Sequence, residues 1–218
     1  MLLLYANILL GVVKMAKLYF KYGAMGSSKS AQALICKFNY EQKGFNVLLL
    51  KPNIDIRDME NGKYIVKSRI GIKSECEVFG KEDNLISLYK NLSKNKNYDV
   101  LIIDEAQFCS QKQIDECKEI SLDIPVLCYG LKINFKSYLF EGSKRLIEIA
   151  DSIEEIKSIC ACGAKATVNA RFRDGIIVIE GDEIVIGGDE TYNAMCYNCW
   201  NKLKKEQEEA KNQMKLKI

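Results

Sequence analysis

The sequence predicts an α/β fold, a parallel sheet with helices on both faces, followed by a small cysteine-rich appendage. Three observations carry this. Short continuous apolar runs alternate with helical periodicity as far as about residue 151, as expected of strands buried between two helical layers. A strand, a loop of small residues and a helix meet at Gly23-Ala24-Met25-Gly26-Ser27-Ser28-Lys29-Ser30. A later apolar strand runs straight into Asp104-Glu105.

Taken in order, Leu18–Tyr22 forms the first strand. From Ser30, apolar Ala31, Leu34, Ile35 and Phe38 mark one face of a helix that runs to about Lys43. Gly44 accepts the left-handed conformation that ends it. Residues 46–50 are a continuous apolar strand, so strand, helix and strand make a right-handed crossover unit. Residues 51–62 are polar and turn-rich, a loop at the carboxyl edge of the sheet in which Asp55 and Arg57 could face a ligand. Residues 63–72 read as another strand and 82–95 as a helix with Leu85, Ile86, Leu88, Tyr89 and Leu92 facing inward. A strand over 98–105, a helix over 112–121, a strand over 124–129 stopped by Gly130, and a helix over 142–151 follow. Beyond residue 158, strands at 167–172 and 176–180 flank Asp174-Gly175, a strong hairpin signal. Residues 201–218 are a Lys/Glu-rich helix or a solvated end.

Composition narrows the chemistry. The 218 residues carry 32 Lys/Arg against 29 Asp/Glu, a net charge of +3 with no basic stripe, which argues against nucleic acid as a partner. Histidine is absent, so no Ser/His or Cys/His nucleophile and no imidazole ligand exists. Acid–base work must come from carboxylates, Lys, Tyr or Cys. The nine cysteines read as reduced cytoplasmic thiols or metal ligands. Residues 1–14 are apolar but too short to span a bilayer and lack a basic lead, so no membrane association is expected. Met15 is read as the initiator, with 1–14 disordered or untranslated.

The loop at residues 23–30 has the layout of a phosphate-binding P-loop. Small residues let backbone N–H groups turn inward, and the helix N-terminus adds positive potential there. Lys29 would reach the β- and γ-phosphates and Ser30 would ligate Mg²⁺. Ser28 departs from the usual pattern by standing where a second glycine is expected; an ordinary Ser-capped helix is the plainer alternative. Asp104 is the acidic partner such a loop needs for Mg²⁺, and Glu105 could take a proton from an attacking hydroxyl or water. Together they define a P-loop NTPase sheet. ATP and Mg²⁺ are expected on Gly23, Ala24, Met25, Gly26, Ser27, Ser28, Lys29, Ser30, Asp55, Arg57, Asp104, Glu105, Ala106 and Gln107. Asp104-Glu105-Ala106-Gln107 resembles the acidic box of helicases, but the chain has no room for a second motor domain. Cys160-Ala161-Cys162 and Cys196-Tyr197-Asn198-Cys199 flank the hairpin and predict a closed, structural Zn²⁺ ribbon on Cys160, Cys162, Cys196 and Cys199. Cys36, Cys76, Cys109, Cys117 and Cys128 read as packing. Residue pattern alone leaves open an ATPase or nucleotide switch whose ribbon docks a partner or nucleic acid.

The P-loop, the run Ile103 to Phe108, Gly130-Leu131, the two cysteine pairs and the run Ile186-Gly187-Gly188-Asp189-Glu190-Thr191-Tyr192 occur in one order. That combination resembles the type II thymidine kinases over roughly residues 17–200. The resemblance implies phosphoryl transfer from ATP to the 5′-hydroxyl of thymidine or deoxyuridine, with Glu105 as catalytic base and Asp55 and Arg57 near Mg²⁺ and the phosphates. It implies a thymine pocket walled by Met25 and Phe108, with Leu131, Phe135 and Phe140 at further positions. It also implies a lasso loop (Ile186, Gly187, Gly188) closing over the nucleoside with Tyr192 packed on it. A cytoplasmic homotetramer is the usual form of such proteins. Ile133-Asn134-Phe135-Lys136 departs from the family's Gly-Thr-Phe-Gln, which bears on thymidine against deoxyuridine. The implied organisation is an extension at 1–14, a nucleotide-binding domain at 15–157, a ribbon and lid at 158–200 and a charged tail at 201–218.

Overall fold

The structure is a computed structural model that describes residues 17–54, 59–181 and 192–215, with side chains as far as 209. In chain order its elements are β1 (Leu18–Tyr22), α1 (Lys29–Glu41), β2 (Val47–Pro52), β3 (Met59–Glu60), β4 (Lys63–Lys67), β5 (Lys73–Glu75), β6 (Glu77–Phe79), α2 (Leu85–Leu92), β7 (Val100–Ile103), α3 (Gln111–Ile120), β8 (Val126–Gly130), α4 (Glu141–Ile149), β9 (Ser152–Glu155), β10 (Val168–Arg173), β11 (Ile176–Val178), β12 (Tyr192–Met195) and α5 (Tyr197–Lys215).

Six strands form one sheet in the order β6-β2-β7-β8-β1-β9, with every pairing parallel. The continuous apolar runs explain this. Successive side chains point to opposite faces, so each run feeds two cores at once. Leu48, Leu50, Leu101 and Ile103 join Leu18 and Phe20 on one face, against Leu85 of α2, Ile114 and Cys117 of α3 and Leu146 of α4. Val47, Leu49, Val100, Ile102, Leu127 and Tyr129 meet Ala33 and Leu34 of α1 on the other. Phe20 is fully buried; truncating such a side chain to alanine costs about 3–5 kcal/mol.

Parallel pairing places all strand carboxyl ends at one edge. There β8 separates β1 from β7, so the loop after Tyr22 and the acids after Ile103 flank Gly130. Gly23 N donates to Gly130 O at 3.3 Å and Asp104 N to Leu50 O at 3.0 Å, which ties both loops to the sheet.

The structure departs from the sequence reading at the edges. Residues 51 and 52 continue β2 rather than opening a loop, and Met59–Glu60 pairs antiparallel with Lys63 and Tyr64 across a turn at Asn61 (φ 52°) and Gly62 (φ 76°). The strand expected at 63–72 stops at Lys67. After β4 the chain turns at 68–72, where Ser68 N donates to Ile72 O, and returns as β5. Neither β6 nor β9 was anticipated. Both are short edge strands: β6 has three residues, too few to show a period, and β9 is polar, which hides the period-2 signal. The hairpin at Asp174-Gly175 is present, with both residues at positive φ (52° and 76°) as a type I′ turn requires.

Cys109, Cys117 and Cys128 are fully buried in the first core, while Cys36 and Cys76 pack half-buried against the second. The tail is helical: Trp200 and Leu203 of α5 cover Val168, Ala170 and Ile177. Gln207 satisfies the edge of β11 by bonding both Ile177 N and Ile177 O at 3.1 Å. Residues 1–14, and with them Met15 as initiator, lie outside the described residues. No helix among the described residues is long and apolar enough to cross a membrane.

Candidate active site

The phosphate loop begins where β1 ends. Gly26 (φ 72°) and Ser28 (φ 62°, ψ 26°) both take the left-handed conformation, on either side of Ser27. Such reversals turn successive N–H groups toward one concavity, an anion nest. Ser28 therefore occupies a backbone state that glycine enters freely and serine at a cost of about 1–2 kcal/mol. Its side chain makes no capping bond to α1, so it does not serve as an ordinary helix cap. Ser27 is buried and Ser28 exposed.

Lys29 is only 8 % exposed and folds back over the loop, donating to Ala24 O at 2.9 Å and reaching Ser27 Oγ at 3.5 Å. Burial pushes its ammonium pKa down, against the opposing pull of Glu105 and Asp104. Asp104 is buried at the end of β7. Burial first, and the neighbouring Glu105 charge second, push it up to about 7, although the Ser30 hydroxyl hydrogen-bonds it and favours the carboxylate. The two side chains assigned to Mg²⁺ from the sequence thus lie near each other at the end of β7 and the start of α1. A hydroxyl and a carboxylate are hard oxygen donors of the kind Mg²⁺ takes.

Glu105 adopts φ 55°, ψ 36° and starts a 3₁₀ turn over Ala106–Phe108. This bend lifts its carboxylate out of the strand direction. Gln107, 2 % exposed, donates from Nε2 to Glu105 Oε2 and accepts at Oε1 from Leu131 N at 2.9 Å. Gly130 permits this approach, since a Cβ there would lie 2.7 Å from Gln107 Oε1. Ala106 is fully buried beneath the turn.

Beyond β8 the chain forms a closed loop, bridged between Ile133 and Leu139. Asn134, the departure from the family pattern, organises it by accepting from Lys136 N at 2.9 Å and Tyr138 N at 3.0 Å. Leu131, Phe135 and Phe140 are buried, and Phe108 meets Phe140 edge-on with centroids 5.7 Å apart. Met25 is half-buried, and its amide donates to Asn169 Oδ1 on β10 at 2.8 Å. Tyr192 of β12 pairs with Arg171 of β10, whose guanidinium sits 5.0 Å over the Phe135 ring. Asp55, Arg57, Ile186, Gly187 and Gly188 lie outside the described residues. Two residues at the site escaped the sequence reading. Asn169 sits inside a strand, and Arg69 comes from the 68–72 turn, its Nη1 3.4 Å from where a Gly26 Cβ would lie. Neither has a local motif; only the folded chain brings them to the loop.

The Cys160, Cys162, Cys196 and Cys199 sulfurs all lie within 4.8 Å of one another. Cys162 Sγ and Cys196 Sγ are 3.7 Å apart, too far for a disulfide and close to the edge of about 3.8 Å expected for a tetrahedron with 2.3 Å zinc–sulfur bonds. Cys199 N donates to Cys196 Sγ at 3.4 Å, and Gly163 N to Cys160 O at 2.8 Å, closing two tight knuckles. Backbone amides of Cys162 and Cys196 hold the Cys160 thiol down to about 6, whereas hydrogen bonds to Cys162 and the other sulfurs push Cys199 up to about 12. Four thiols this close cannot all ionise without a cation, and four such thiolates suit Zn²⁺.

Comparison with known proteins agrees with this geometry. The family model described as "Thymidine kinase" matches residues 16–200. Thymidine kinase of Rhodopirellula baltica is 43 % identical over 84 % of this chain and 86 % of its own. That of Enterobacteria phage T4 is 43 % identical over 88 % and 98 %, and that of Shewanella oneidensis 41 % over 84 % and 95 %. The solved Pif1 helicase of Candida albicans overlaps 71 % of this chain and 38 % of its own at 17 % identity and a TM-score of 0.38. With the motifs in one order along residues 16–200 and such identity over most of its length, the chain belongs to the thymidine kinase family.

Proposed function

We propose that the protein transfers the γ-phosphoryl group of ATP to the 5′-hydroxyl of thymidine or deoxyuridine, releasing ADP and the nucleoside monophosphate. One observation supports it above the others. Lys29, Ser30, Asp104 and Glu105 converge at one sheet edge, with Glu105 oriented by a buried glutamine that also binds the 131–140 loop.

In this reading the loop amides of 23–30 other than that of Met25, which Asn169 holds, cradle the phosphates, and Lys29 exchanges the Ala24 carbonyl for the β- and γ-phosphate oxygens. Mg²⁺, when bound, would neutralise charge on the transferring phosphates, held by Ser30 and Asp104. Glu105 takes the 5′-hydroxyl proton as the new O–P bond forms and the bond to the ADP oxygen breaks. Met25, Phe108, Leu131, Phe135, Phe140 and Tyr192 wall the nucleoside, residues 186–188 close over it, and Asp55 and Arg57 support the phosphates. Cys160, Cys162, Cys196 and Cys199 would hold Zn²⁺, which would brace the ribbon on both sides of the closing segment in the sequence and supply no chemistry to the transfer. The chain divides into a nucleotide-binding domain (15–157), a ribbon with lid (158–200) and a charged tail (201–218). A cytoplasmic homotetramer completes the reading.

The test is transfer of labelled γ-phosphate from ATP to a panel of deoxynucleosides, with a no-acceptor control. Label on thymidine and little on deoxycytidine or purine nucleosides is the expected result. Label released only as free phosphate, whatever the acceptor, would overturn the reading in favour of an ATPase.

A further inference from the structure

Asn169 is 3 % exposed in the centre of β10, where its backbone pairs with Ala194 of β12. Its side chain leaves that sheet. Oδ1 accepts from Met25 N at 2.8 Å, and Nδ2 donates to Ile133 O at 2.8 Å. One carboxamide therefore joins the third residue of the phosphate loop to the loop that carries Leu131 and Phe135. A carboxamide is planar, with acceptor and donors at fixed angles, so holding both partners also sets their separation. Because the group is buried, losing either partner leaves a polar atom unsatisfied away from water. The strand behind it is in turn held by the ladder to β12, which leads directly into Cys196.

We propose that Asn169 is a positioning residue that sets the width of the nucleoside cleft by fixing the Met25 peptide to the Ile133 carbonyl. The proposal rests on the nucleoside kinase reading, in which Met25 and the 131–140 loop stand on opposite walls of that cleft. Asn169 touches neither reacting atom. It holds the walls, and through β10 it makes their spacing depend on the sheet beside the four cysteines. The Met25 amide is taken by Asn169 Oδ1, which leaves the phosphates to the other loop amides and to Lys29, groups that Asn169 does not contact, so nucleoside affinity depends on it more than ATP affinity does.

Two variants of the full chain separate the two bonds. Asn169→Leu keeps volume and removes both; Asn169→Asp keeps the acceptor for Met25 N and removes the donor to Ile133 O. Hydrogen exchange at the Met25 amide is read alongside KM for thymidine, KM for ATP and melting temperature. In Asn169→Leu the Met25 amide is expected to exchange at least about tenfold faster, with thymidine KM up about two- to tenfold, the range of one neutral hydrogen bond, and ATP KM within about twofold. In Asn169→Asp the Met25 protection is expected to return while thymidine KM stays raised. Unchanged Met25 exchange in Asn169→Leu would overturn the linkage. Both KM values rising together in step with a lower melting temperature would reduce Asn169 to a packing residue and overturn the proposal. Absence of thymidine turnover in the unaltered protein would count against the kinase reading alone, since Met25 exchange still decides whether the linkage exists.

Discussion

Gln107 donates a hydrogen bond to the Glu105 carboxylate from two residues further along the same turn, and its other end accepts from Leu131 N. The proposed base is thereby aimed by a side chain that also senses the nucleoside loop. Glu105→Gln is expected to leave ATP binding intact by calorimetry and to lower kcat by about 10²–10⁴-fold, the usual contribution of a positioned base. An unchanged kcat would remove Glu105 from that role.

Asp104 links pH to the proposed Mg²⁺ site. Its pKa is pushed up to about 7 in the ligand-free protein, chiefly by burial and next by Glu105. A raised acid favours folding while it is protonated, and that contribution fades as pH rises from its unfolded value of about 4 toward 7. Mg-ATP binding demands the ionised form. At pH 6 it is expected to release about one proton, and above pH 8 almost none. Calorimetry in buffers of different ionisation enthalpy measures this; equal heats in all buffers at pH 6 would refute it.

Ser28 holds a left-handed backbone without using its side chain as a cap. Ser28→Gly removes the steric cost but adds freedom to the unfolded chain, leaving a net gain of about 0.5 kcal/mol. A rise of about 1–2 °C in melting temperature is expected, with little change in ATP KM. A lower melting temperature would show that the hydroxyl contributes more than the backbone strain costs.

Trp200 is the sole tryptophan, stands next to Cys199 in the chain and is 6 % exposed against the β10–β11 hairpin. Chelation of Zn²⁺, or Cys199→Ser, is expected to shift its emission to the red and raise thymidine KM. Metal-free protein with unaltered emission and kinetics would separate the ribbon from the nucleoside site.

Much of this protein is written locally. Continuous apolar runs placed β2, β7 and β8, and the P-loop that follows placed β1, because strands buried on both faces must be apolar throughout. The P-loop, Asp104-Glu105 and the cysteine pairs announced their chemistry because loop turns and ligand spacings are short-range constraints. Tertiary structure alone decided the rest. The short edge strands β6 and β9 take their hydrogen bonds from a neighbour and are too brief, or in β9 too polar, to carry a periodicity of their own. Arg69 reaches Gly26 only because 63–75 folds back as a hairpin. Asn169 bonds Met25 across 144 residues, and nothing in a strand sequence marks a buried amide as spoken for from so far away. Local chemistry determines what a segment can do; the partner of a buried polar group is chosen by the fold, which must satisfy it or bear the desolvation cost.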